Sequence, residues 1–303
     1  MPVNSPFAKF FANHFRCLKS SAANAEPAFA SMPSKARRFS LSTPCLSLHF
    51  RFTGRWCVSL SLRGITLPSC VVGYQTVDAI QRGKFKALAV QFENVAGGEI
   101  AVRDLVTVAN PAGGVVLNTS SDQIWVWDTT AADWVKYFSR KPRGESTITW
   151  CKAGETTETT DTLAAGTTFF FYRGGSATTS LTLAGAVKEL AGQEQYTVTR
   201  GKFVFMSYPW PVALSIAGFD ANQASPSGGL VINTTSDQIW RWNTEKADWD
   251  KYFCRKLRGE TAVTWCKAGE TSETTDSIPA GEGFFFYRGG SATETITFSA
   301  PAN

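Results

Sequence analysis

A chain of 303 residues is long enough for about two domains of ordinary size. Its 43% hydrophobic content can fill a core in each, and its 18% charged content lies below the roughly 25% of typical soluble domains. No stretch approaches the ~18 consecutive apolar residues of a membrane-spanning helix, so composition excludes a helical membrane bundle, a coiled coil, a collagen and a disordered polyelectrolyte.

The charge is unevenly spread. Residues 1–70 hold nine Lys or Arg against the single acid Glu26, whereas residues 71–303 hold 21 bases and 24 acids. The formal net charge of +5 therefore belongs to the head, and a mildly acidic body argues against a nucleic-acid partner. The head is rich in Ser, Arg and Pro and carries four of the seven Cys and both His (His14, His49). It shows no lasting periodicity, which predicts a disordered basic segment. Three readings are open for it: a transit-like peptide, a disordered arm, or an extension called upstream of the true start, the last being favoured. A secretory leader should place an apolar run before Val71, but Arg63 and Pro68 interrupt Leu60, Leu62 and Leu67.

Beyond the head the chain reads as short strands. Tyr74 to Ile80, Lys84 to Val95, Ile100 to Val108, Asp122 to Asp128, Trp134 to Arg140, Thr147 to Ala153, Thr167 to Arg173 and Leu181 to Val187 are runs of Val, Ile, Thr and aromatics. Gly, Asn, Asp, Ser or Pro punctuates them. Phe169-Phe-Phe-Tyr172 sets large rings on both faces of one strand, which predicts a central strand covered on both sides. The series then repeats. Gly113-Gly-Val-Val-Leu-Asn-Thr-Ser-Ser-Asp-Gln-Ile-Trp-Val-Trp127 matches Gly228-Gly-Leu-Val-Ile-Asn-Thr-Thr-Ser-Asp-Gln-Ile-Trp-Arg-Trp242, and the register holds without a gap to the end of the copy. The unit is far longer than a solenoid repeat. The expected architecture is all-β: two tandem homologous β-sandwich-like domains at 71–188 and 189–303, joined by a linker near Lys188 to Gln195, with small β-barrels as the alternative.

Comparing the copies sorts faces. Val126 stands where Arg241 does, and Val135 where Asp250 does, so these positions are expected to face water. By alternation Trp125, Trp127 and Trp134, with Trp240, Trp242 and Trp249, point the other way and are expected to pack as core. Tyr137 and Tyr252 share the charge-tolerant face, which makes them the best candidates for an exposed platform that stacks sugar rings. Beside them, Arg140-Lys-Pro-Arg-Gly-Glu145 and Arg255-Lys-Leu-Arg-Gly-Glu260 read as hairpin tips turned by Gly144 and Gly259. Arg140, Lys141 and Arg143, with Arg255, Lys256 and Arg258, are either a solvated turn or a grip for phosphate or sulfate.

Two acidic Thr loops carry Glu155, Glu158 and Asp161, and Glu270, Glu273 and Asp276. They are weak calcium candidates, since their spacing matches no calcium loop, and a solvated loop is the plainer reading. With no CxxC and no body His, zinc is not expected, and no cofactor is expected. Cys151, Cys254 and Cys266 read as free, partly buried thiols. Asn118-Thr-Ser120 and Asn233-Thr-Thr235 fit the glycosylation pattern, which matters only in a eukaryotic secretory pathway. A body without His lacks Ser-His-Asp and Cys-His chemistry, and Asp161-Thr-Leu163 lacks the glycine of an aspartic protease. A hydrolase of another type stays open as a minor reading.

Ser121-Asp-Gln-Ile-Trp-Val-Trp-Asp128, Asp133-Trp-Val-Lys-Tyr137, Ala165-Gly-Thr-Thr-Phe-Phe-Phe-Tyr172 and Leu181-Thr-Leu-Ala-Gly-Ala-Val187 resemble uncharacterised secreted β-repeat proteins of verrucomicrobial and lentisphaeral bacteria. The resemblance covers most of the body and none of the head. It implies an extracellular or cell-envelope location, although the head shows no clear signal peptide. The expected function is a non-enzymatic exported structural or adhesive protein whose partners are surface glycans or other envelope proteins. The alternative is a carbohydrate-binding module using exposed aromatics and the basic hairpin.

Overall fold

The computed structural model describes residues 48–49, 59–60, 72–188 and 193–301. Leu48–His49 (β1) and Ser59–Leu60 (β2) pair antiparallel. The rest of the expected basic head lies outside the described residues, as do linker positions 189–192. One compact unit, Leu48–Leu60 with Thr66–Asn303, contains both copies of the repeat. The other unit, Met1–Ser47 with Ser61–Ile65, falls outside the described residues.

The first copy comprises Val72–Ile80 (β3), Phe85–Ala89 (β4), Phe92–Glu93 (β5), Ile100–Ala101 (β6), Val102–Leu105 (α1), Thr107–Val108 (β7), Gln123–Asp128 (β8), Asp133–Arg140 (β9), Thr149–Lys152 (β10), Thr162–Leu163 (β11), Thr168–Tyr172 (β12) and Thr179–Val187 (β13). The second runs Gln193–Val198 (β14), Phe203–Ser207 (β15), Leu214–Ser215 (β16), Gln238–Asn243 (β17), Asp248–Arg255 (β18), Thr264–Lys267 (β19), Ser277–Ile278 (β20), Gly283–Tyr287 (β21) and Glu294–Ser299 (β22). Each copy builds a five-stranded antiparallel sheet, β10-β9-β8-β12-β4 or β19-β18-β17-β21-β15. Neither sheet closes into a barrel. A smaller layer covers one face, β3-β13-β5 with β7 in the first copy and β14-β22 in the second.

The elements follow from local chemistry. The β8–β9 hairpin turns because Asp128 Oδ1 accepts from the Thr130 and Ala131 amides, and Ala132 takes a φ of 51°. Asn243 and Ala247 repeat this in the second copy, with amides of Glu245 and Lys246. The strand expected over Ile100 to Val108 is broken by α1. Val102 and Leu105 lie one helical turn apart and are 0% and 1% exposed, so the turn drives both into the core, which a strand cannot do. The expected strand from Lys84 to Val95 also divides, because β4 and β5 belong to different layers.

Between the layers of the first copy lie Leu88, Ile124, Tyr137, Trp150, Phe169 and Phe171 with the aliphatics of β13. The second copy repeats this core with Met206, Ile239, Tyr252, Trp265, Phe284 and Phe286. The opposite face of each large sheet meets the other copy. Phe170 of β12 stacks on Phe205 of β15, with centroids 5.2 Å apart and planes at 17°. Phe205 stacks in turn on Phe285 at 4.5 Å. Trp127 and Trp134 reach Phe285 edge-on from one side, and Trp242 and Trp249 reach Phe170 from the other. Polar contacts clamp the rim: Trp242 Nε1 and Thr244 Oγ1 both donate to the Phe85 carbonyl, at 3.0 and 2.9 Å. At its other end β4 donates from the Ala89 amide to the Gly281 carbonyl at 3.0 Å. The edge strand β4 therefore runs across the ends of the second-copy strands rather than along them. This explains the full burial of β12, whose Phe169 and Phe171 face the inner core while Phe170 faces the seam.

A buried ion pair pins the loop ahead of β8 to the end of β12. Arg173 and Asp122 are 2% and 0% exposed and meet at 2.8 Å. Asp122 also accepts from the Gly174 and Ala112 amides at 3.0 and 2.8 Å. A side chain at Gly174 would place its Cβ 2.3 Å from the Ser121 carbonyl, so only glycine lets these segments approach. Arg288, Asp237 and Gly289 repeat the arrangement.

Phe170→Ala should cost about 3–5 kcal/mol, because it opens a void in the middle of the ring stack. Denaturant unfolding followed by Trp fluorescence measures it. Asp122→Ala should cost a similar ~3–5 kcal/mol by stranding the Arg173 guanidinium, whereas Asp122→Leu with Arg173→Met should recover only the part due to the stranded charge, because the Gly174 and Ala112 amides still lose their acceptor. Equal destabilisation by the single and the double variant would contradict this account.

Candidate functional site

The geometry rearranges the expected site. Tyr137 and Tyr252 are 4% and 0% exposed, so the exposed stacking platform expected of them does not exist. They face the inner core because the charge-tolerant face is the inward one. Val126 and Val135 pack against that core as half-buried residues rather than facing water. At the position of Val126, Arg241 is accommodated because its Nε reaches Glu282 Oε1 at 3.0 Å, and Glu282 is itself only 4% exposed. Lys86 of the first copy binds the other oxygen of the same carboxylate at 3.0 Å.

The phenols serve the acidic loops. Tyr137 Oη donates to Asp161 Oδ2 at 2.8 Å, and Lys152 Nζ donates to the same oxygen at 2.9 Å. Tyr252, Asp276 and Lys267 repeat the triad at 2.7 and 3.1 Å. Burial first, and the acceptor carboxylate second, push both phenols above their ordinary values. Each carboxyl is held below the usual range, Asp161 chiefly by the hydrogen bond from Lys152 and Asp276 chiefly by that from Tyr252. Glu158 pairs with Arg103 at 3.4 Å, while Glu155, Glu270 and Glu273 are exposed. Among the described residues no group of three His, Cys, Asp or Glu side chains converges as a metal site, so the calcium candidates are not brought together.

The basic tips do form turns between β9 and β10 and between β18 and β19, with Gly144 and Gly259 at φ 85° and 88°. Lys141, Arg143 and Arg258 are exposed there, and Arg140, Arg255 and Lys256 are half-buried. Arg255 donates to the Thr271 carbonyl at 3.0 Å. Cys151, Cys254 and Cys266 are buried free thiols. Cys254 and Cys266 fall on adjacent registers, facing Trp265 and Phe253, and so project to opposite faces of the sheet. Burial pushes the Cys254 thiol up to about 12, which leaves it unreactive at neutral pH.

A concavity lies at the seam. A groove of about 700 Å³ opens between Gln91, Trp127 and Thr168 of the first copy and Tyr196, Phe205 and Trp210 of the second. Its volume falls within the 300–1,000 Å³ usual for small-ligand sites, which favour domain interfaces. Its lining includes the aromatics Trp127, Tyr196, Phe205 and Trp210 with Pro209 and Pro211, and it carries Gln195 and the Lys188–Glu194 ion pair at 2.8 Å. Sequence reasoning missed this site, although it left a signal. The copies diverge after β4 and β15: Val90-Gln-Phe-Glu-Asn94 stands against Tyr208-Pro-Trp-Pro-Val212. Sequence reasoning also missed Lys136 and Lys251, whose ammonium groups sit 4.3 and 4.2 Å from the Trp125 and Trp240 ring centroids. Burial lowers both amines.

In comparisons with known proteins, no family model and no curated protein matches the chain.

The depressed carboxyls contribute to the acid response. Unfolded aspartates take up protons first as pH falls, so this stabilisation is complete above about pH 3.9 and drains as pH drops through the folded values. Asp161→Asn with Asp276→Asn should flatten the acid limb of the stability curve relative to the unmodified protein. Urea midpoints collected from neutral pH down to about pH 2 check it.

Proposed function

We propose that this chain is a non-enzymatic, exported structural or adhesive protein of a bacterial envelope. The observation that carries this reading is the ring seam, which fuses two β-sandwiches into a single body. The aromatic surface that would otherwise stack ligands is spent on holding the copies together. The candidates Tyr137, Tyr252, Asp161 and Asp276 are likewise committed, with Lys152 and Lys267, to hydrogen-bonded triads that support strand ends. Such a body suits a load-bearing or surface-attached role, in which stiffness matters more than an adjustable site. The likeness of the Gln-Ile-Trp-x-Trp and Ala-Gly-Thr-Thr-Phe-Phe segments to secreted bacterial β-proteins supports the same reading.

A second reading rests on the seam groove. Lining aromatics together with amide and charged groups match the two sides of a sugar, apolar C–H faces and hydroxyl edges. In this reading the glycan site is the seam and not the basic hairpin.

Co-sedimentation of the full chain with purified envelope polysaccharide separates the two. Retention that survives Gln195→Trp, which obstructs the groove at an exposed lining position, supports the structural role. Retention abolished by Gln195→Trp at unchanged melting temperature supports the glycan reading. No retention on any envelope fraction would overturn both.

A further inference from the structure

In each copy a glycine-led loop is laid against the basic hairpin. The Gly114 amide donates to the Ser139 carbonyl at 3.0 Å, and the Lys141 amide donates to the Gly114 carbonyl at 2.9 Å. In the second copy Gly229 bonds to Cys254 and Lys256 to Gly229, both at 3.1 Å. Just past the glycine, two aliphatic side chains point away from the protein. Val115 and Val116 are 52% and 60% exposed, and Leu230 and Val231 are 59% and 61%. The loops are not loose. Gln123 Nε2 donates to the Asn118 carbonyl at 2.7 Å and Ser121 Oγ to the same atom at 3.0 Å. Gln238 and Ser236 hold Asn233 in the same way, at 2.6 and 3.1 Å. The aliphatic pairs are thus presented by a braced loop that keeps them from folding inward.

The two copies report on what this tip needs. Their exposed aliphatics differ in identity yet stay apolar, Val115-Val116 against Leu230-Val231. Where the first hairpin has Pro142, the second adds another exposed aliphatic, Leu257, at 36%. On the hairpins to which these loops are bonded, Lys141, Arg143 and Arg258 are exposed cations, outnumbering the exposed acids Glu145 and Glu260. A polyanion such as a sulfated glycan would use the cations and gain nothing from the aliphatics. An apolar protein partner would need no cations. Side by side, the two chemistries match the boundary of a bilayer, where aliphatics enter the acyl region and bases meet anionic headgroups.

The geometry points to a peripheral docking site for an anionic lipid surface at each copy's tip, built from the Gly-led loop and the Arg-Lys hairpin. It stands independently of the seam groove and of the structural or glycan reading.

Flotation of the full chain with vesicles tests it, comparing phosphatidylcholine alone with phosphatidylcholine mixed with phosphatidylglycerol. The chain should float with the anionic vesicles only, and less as salt rises. Replacing Val115, Val116, Leu230 and Val231 with Ser should weaken that binding about tenfold or more at unchanged melting temperature. Should that variant melt early, Lys141→Glu with Arg143→Glu and Arg258→Glu decides, and it should abolish flotation. Absence of flotation, equal flotation with neutral vesicles, or full binding by a well-folded serine variant would each overturn the proposal.

Discussion

A sheet that is apolar on both faces has to be covered twice, and this requirement organises the molecule. The large sheet of each copy buries one face under its own small layer, the ordinary solution for a sandwich. Its other face carries Trp125, Trp127, Trp134 and Phe170, or Trp240, Trp242, Trp249 and Phe285, and among the described residues no further layer of the same copy covers it. The second copy is that layer. Tandem duplication here supplies the missing half of a core, so the aromatics shared by the two copies are explained by packing before any ligand is invoked. Offset and edge-on ring pairs of this kind contribute about 0.5–1.5 kcal/mol each beyond the area they bury.

The buried Arg–Asp pair plays a different part. It does little for net stability compared with an apolar replacement, since both charges are stripped of water. What it fixes is position. Asp122 gathers a guanidinium and two backbone amides, and thereby sets where the loop before β8 leaves the sheet. That loop carries Val115 and Val116 to the surface and lies along the basic hairpin. A fully dehydrated interaction thus determines what the exposed tip can offer.

The repeat, the strands and the central place of Phe169 to Tyr172 were legible in the sequence because they depend on local periodicity and on self-comparison. The direction of the faces was not. Alternation shows that Tyr137 lies opposite Trp134, but it does not say which of the two points at solvent. The Val126 and Arg241 exchange suggested exposure, yet Arg241 is tolerated through Glu282, a carboxylate that lies 41 residues later in the chain. Nothing local announces such a partner. Likewise α1 hides in an apolar stretch where helical and extended spacing look alike over four residues. The groove was legible only as a place where the copies disagree, around Trp210, and its depth comes from two segments distant in sequence meeting at the seam.

The ring stack also carries a record of divergence. Phe205 occupies the position that Ala87 holds in the first copy, since each pairs with the equivalent phenylalanine of its neighbouring strand, Phe285 or Phe170. One partner contributes the bulk and the other leaves the space. Two first copies brought together would face each other across an empty centre, and two second copies would drive phenylalanines into the same volume. The halves have therefore ceased to be interchangeable: what began as a doubled segment now works as a matched left and right, and neither can return to life as a symmetric pair.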